Sequence, residues 1–152
     1  MKNSTLWIII AVFIVLSLAG GAALTGTIPG TDGSLPDIVM QFATAIATAE
    51  GWFVSGSKAQ RNNNPGNLTN PSGGFMQYAT VMDGWNALYA QVELMFSGGS
   101  AHYNPSMTIQ QVANAYAPDS PANPNQAENW ANNVATFLGV STDTTLQQLM
   151  GG

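Results

Sequence analysis

Residues 6–24, LWIIIAVFIVLSLAGGAAL, run for nineteen positions without a charge or a polar face, which bars them from the one-sided packing that builds a water-soluble core. Their length suits either a single membrane span or the long apolar centre of a signal peptide. Lys2 is the only base near them, so the positive-inside rule puts the N-terminus in the cytoplasm and exports the remainder of the chain. The small residues Ala19, Gly20, Gly21, Ala22 and Ala23 offer a place for signal cleavage, and anchored and secreted forms both stay open. Either form leaves the domain outside the cytoplasm, in the periplasm, the cell envelope or a virion. The leader (1–24) is succeeded by TGTIPGTDG (25–33), a Gly/Thr/Pro linker with no apolar period. That leaves 34–152 for one compact domain, and 45% apolar content in a chain of 152 residues suits a single core.

Charge excludes several functions. Beyond the leader only Lys58 and Arg61 face eight acids, so nothing could neutralise a run of phosphates, and nucleic acid is not an expected partner. With no cysteine and a single histidine, His102, on a Gly/Ser/Asn-flanked loop, both a zinc site and a His-based triad lack parts. No metal or cofactor is expected.

If the chain does chemistry, the segment 34–68, SLPDIVMQFATAIATAEGWFVSGSKAQRNNNPGNL, is where it is expected. At about 100° per residue, Leu35, Ile38, Val39, Phe42, Ile46 and Ala49 share one face of a helix, with Ser34 and Asp37 at capping-box spacing. Glu50 lies on the margin of that stripe, and Gly51 ends the helix. Partial desolvation and the negative end of the helix dipole both favour the protonated form of Glu50, the state a general acid needs. Only 7% of the chain is charged, so a lone acid at the far end of a neutral helix is not readily explained as a solubilising group.

After the helix, Trp52 to Asn67 reads as loop. Its Asn62, Asn63, Asn64, Pro65, Gly66, Asn67 run combines residues tolerant of left-handed backbone with a Pro-Gly turn. Amides beside a cleft acid can read sugar hydroxyl and acetamido groups, which makes Asn62, Asn63, Asn64 and Asn67 candidate binding residues. Trp52 follows Glu50 at the helix exit and is the best placed tryptophan for an exposed sugar-stacking platform; burial is the expectation for Trp85 and Trp130. Residues 68–78 read as a short hairpin in which Phe75 and Gln77 alternate with Met76 and Tyr78, with either pair able to face inward. Further helices are expected at 83–96 (Trp85, Leu88, Val92 and Met95 or Phe96 inward), 108–116 (Ile109, Val112, Ala113, Tyr116), 124–138 (Trp130, Val134, Phe137, Leu138) and 143–150, with Asp83 as a helix cap.

The helix ending in Glu50-Gly51, then RNNNPGNL (61–68), GGFMQY (73–78) and AYAP (115–118) together resemble the lysozyme-like superfamily, and within it the lytic transglycosylases and related phage or prophage domains. The match departs from the transglycosylase pattern after Tyr116, where Ala117 and Pro118 stand in place of the Asn and Gly-bearing continuation, and at Gly51, where a Ser is usual. The resemblance implies an α+β, mainly α fold with a small β-hairpin behind the N-terminal hydrophobic helix. It also implies cleavage of the β-1,4 bond between N-acetylmuramic acid and N-acetylglucosamine, with Glu50 catalytic and Gln77 and Tyr116 near the substrate. Peptidoglycan strands are then the partner, and the membrane is met only through the leader. A non-catalytic peptidoglycan-binding or virion-associated module of the same fold is the alternative.

Overall fold

The computed structural model describes residues 37–151. The leader, the linker, and the predicted contributions of Ser34 and Leu35 lie outside the described residues. Among the described residues six helices occur in order: α1 (Asp37–Ala49), α2 (Lys58–Arg61), α3 (Val81–Ser97), α4 (Ile109–Tyr116), α5 (Gln126–Leu138) and α6 (Leu146–Leu149). The domain is mainly helical, as expected. None of these helices is long and apolar enough to cross a membrane.

α1 is the centre of the fold, packed by α5 on one side and α3 on another, with α4 against α5 and α6 against α3. Val39, Phe42 and Ile46 from the predicted stripe are buried, and so are Ala43, Ala45 and Ala47. The alanines let neighbouring helices approach α1 from more than one direction. Phe42 meets Phe96 of α3 edge to face at 5.3 Å, a favoured geometry for an aromatic pair. Thr80, Thr108 and Thr145 each open a helix with a reciprocal capping box, Asp83 being the third-position partner of Thr80 rather than the cap itself. Phe137, expected inward, is exposed at the end of α5.

The β component is smaller than the sequence suggested. Among the described residues there are only isolated antiparallel bridges, one of them joining Thr69 to Phe75 where the hairpin was expected. The buried Asn64 side chain takes the place of a ladder: its Nδ2 donates to the carbonyls of Leu68 and Met76, both at 2.9 Å, while its Oδ1 accepts from Leu68 N. Met76 and Tyr78 are half-buried, and Phe75 and Gln77 face outward. Lys58 of α2 sets its ammonium 4.3 Å above the Phe75 ring, a cation–π contact.

Candidate functional site

The end of α1 positions the acid. Gly51 has φ of 75°, its N–H reaches Thr48 O, and Trp52 N–H reaches Ala47 O, the two bonds of a Schellman turn. Glu50 is therefore the last residue before the chain reverses. The same turn corrects the expectation for Trp52. Its position folds its side chain back toward the helix, leaving it 7% exposed and edge-on to Trp85 at 6.0 Å. Trp52 is core and not a sugar platform.

Two donors hold the Glu50 carboxyl group. Trp130 Nε1 of α5 donates to Oε1 at 2.8 Å, and Asn67 Nδ2 donates to Oε2 at 2.8 Å. Asn67 also approaches the Glu50 carbonyl at 3.3 Å. Burial pushes the Glu50 pKa above its ordinary 4.5, and the hydrogen bonds from Asn67 and Trp130 and the charge of Lys58 oppose that rise without cancelling it. Desolvation thus dominates two good hydrogen bonds. A carboxylate has about four lone-pair positions, and the donors take one on each oxygen, so a proton on Glu50 occupies a remaining position.

The supports of these donors close into a ring. The Tyr116 ring stacks on Trp130 at 5.0 Å, and its hydroxyl donates to Gly66 O at 2.5 Å. Gly66 precedes Asn67, whose φ of 46° turns its amide toward Glu50. A Cβ at Gly66 would fall 2.7 Å from Leu88 Cδ1 and 2.8 Å from the Tyr116 hydroxyl, so only glycine permits this closure. Burial, with the charge of Glu50 next, raises the Tyr116 pKa well above its usual 10, which keeps the hydroxyl a donor. Tyr116 therefore belongs to the site, acting on Glu50 through Trp130 and Gly66.

The asparagine run divides by function. Asn63 Nδ2 bonds Tyr78 O, Asn64 is fully enclosed and its amide is committed to Leu68 and Met76, and Asn67 holds the acid. Asn62 accepts from Tyr78 N through its backbone carbonyl. The expectation that this run presents a set of amides to sugar is therefore corrected for Asn63 and Asn64, because unpaired backbone groups in a tight loop needed them first. Gln77 is exposed, and His102 is an exposed loop residue beside Tyr103.

A cleft of about 440 Å³ opens beside Glu50, lined by Ala49, Trp130, Asn129, Asn133 and the approach to α5, within the size range of small-ligand sites. Among the described residues, Glu50 is the only ionisable one in its lining, and no cluster of potential metal ligands occurs. Sequence reasoning missed Trp130 as a partner of the acid and missed Gly84. A Cβ on Gly84 would lie 1.8 Å from Asn63 O. A glycine inside a predicted helix costs about 1 kcal/mol against alanine, and that cost was the available signal for close backbone approach. Comparison with protein-family models, with curated proteins and with solved structures gives no match.

Proposed function

We propose that this domain is a lysozyme-like peptidoglycan-cleaving enzyme of the lytic-transglycosylase kind, with Glu50 as its single acid–base group. The observation that carries the proposal is a mostly desolvated carboxyl group, fixed on both oxygens at the wall of a cleft with no second ionisable group among the described residues of its lining. A carboxyl group whose pKa is raised by burial can deliver a proton to the glycosidic oxygen and receive one in return. Two-carboxylate glycosidases need a nucleophile or water-activating base across the sugar, and the described residues of this cleft offer none. In the transglycosylase route the sugar's own hydroxyl attacks as Glu50 takes its proton, closing a 1,6-anhydro ring.

The contacts among Glu50, Asn67, Asn64, Met76, Gly66 and Tyr116 bring together the segments that carry the family resemblance, which supports the same reading. Ala117 and Pro118, which break the transglycosylase pattern, favour the alternative of a peptidoglycan-binding module. Incubating the protein with purified peptidoglycan separates the two. Soluble fragments ending in 1,6-anhydro sugars are expected, reducing ends would indicate a hydrolase, and binding without release would indicate a module.

A further inference from the structure

Five side-chain amides beside Glu50 remain uncommitted. Asn123, Asn125, Gln126, Asn129 and Asn133 line the cleft, are exposed, and make no side-chain hydrogen bond with another described residue. Gln126, Asn129 and Asn133 are spaced i, i+3, i+7, which puts them on one face of α5. Asn125 holds the N-cap position of α5 yet caps nothing, although asparagine is among the residues that best satisfy a helix's first N–H groups. Asp119 from the preceding loop does that work instead, accepting from Ala127 N at 2.9 Å. The outcome is a wall of amides without a charge, released from structural duty and adjacent to a fixed acid.

We propose that this α5 wall, and not the asparagine run of 62–67, is the surface that recognises the acetamido groups of an N-acetylated glycan strand. Each side-chain amide offers two donors and one acceptor group, matching the carbonyl and N–H of an acetamido substituent and the hydroxyls around it. None of the five carries a charge, so recognition by this wall works through hydrogen bonds rather than ion pairs. Trp130 contributes an apolar edge to the same cleft while its N–H is held by Glu50. Gln126, Asn129 and Asn133 stand on helical backbone, so binding a sugar must order their side chains but not the chain that carries them.

The proposal rests on peptidoglycan being the ligand, but its test does not require cleavage. Peptidoglycan strands stripped of their peptides, and the same strands chemically de-N-acetylated, are titrated calorimetrically into the full chain carrying Glu50→Gln, which leaves the strands intact. The N-acetylated strand should bind at least tenfold more tightly than the de-N-acetylated one. Asn129→Leu combined with Asn133→Leu should abolish that preference; Asn125→Ser, a milder change, should reduce it at least twofold with unchanged melting. Equal affinity for both strands, no binding of either, or an undiminished preference in folded variants would overturn the proposal. Selective binding without cleavage by the unsubstituted chain would instead overturn the enzymatic reading and leave this site standing.

Discussion

Trp130 Nε1 donates a 2.8 Å hydrogen bond to Glu50 Oε1 across 80 positions of sequence, tying the acid at the end of α1 to the helix that walls its cleft. Trp130→Phe keeps a ring against Tyr116 and removes only this donor and the indole's extra bulk. The charged form of Glu50 then loses a partner, so its ionisation midpoint should rise above that of the unsubstituted protein. Leaving a buried acceptor unpaired should also cost about 1–3 kcal/mol. Carbon-13 carboxyl titration and urea unfolding check the two effects separately; an unmoved or lowered midpoint would show that the indole does not support the carboxylate.

Glu50 also makes stability depend on pH in a defined direction. Its folded pKa lies above the ordinary 4.5 because of burial, so between 4.5 and the raised value the folded state binds more protons than the unfolded one. The Glu50 contribution is thus fully present below 4.5 and is lost as pH rises through the folded pKa. Glu50→Gln lacks this loss, so its stability relative to the unsubstituted protein should climb across that window and then level off. Parallel stability curves for the two proteins would contradict the assignment.

Gly84→Ala tests the packing that holds the Asn67 loop. In an ordinary exposed helix interior the change stabilises by about 1 kcal/mol. Here the new Cβ would meet Asn63 O at 1.8 Å, so the melting temperature should fall, and the displaced loop should carry Asn67 away from Glu50. A stabilised variant with an unchanged Glu50 titration would remove Gly84 from the site's support.

Asn64→Ala separates a side chain that holds the loop together from one that does not. Asn64 is fully buried and makes three hydrogen bonds with Leu68 and Met76, so its loss should cost roughly 3 kcal/mol of stability. Asn62→Ala, at a half-buried residue whose bond to Tyr78 uses the backbone, should cost well under half of that by the same unfolding assay. Similar losses at both positions would refute the division.

Much of the helical plan is legible in the sequence because it is local. The stripe Val39, Phe42, Ile46 and the stop at Gly51 come from periodicity and backbone tolerance, and they put Glu50 at the helix end. The illegible part depends on distant partners. Whether Trp130 is core packing or the acid's donor is decided by where α5 crosses α1, which no window around Trp130 contains. Asn63 and Asn64 look in sequence like Asn67; only the backbone groups they meet distinguish loop amides from the one on Glu50. The small helix α2 reads as loop because four residues are too few to display a period. Trp52 reads as exposed because nothing in its neighbours reveals that the reversal after Glu50 turns its side chain inward.

The most direct test of the central claim compares peptidoglycan cleavage by the unsubstituted protein and by Glu50→Gln, with both proteins shown to be folded. The substituted amide keeps the size of the carboxyl group, and a half-turn of the Asn67 amide would let its Oδ1, buried without a partner among the described residues, accept from the new N–H. It cannot deliver the proton. The account predicts release of 1,6-anhydro-ended fragments by the unsubstituted protein and a rate lower by at least about 10²–10⁴ in Glu50→Gln, with strand binding retained. Equal cleavage by the two proteins, or no cleavage by the unsubstituted one, would contradict it.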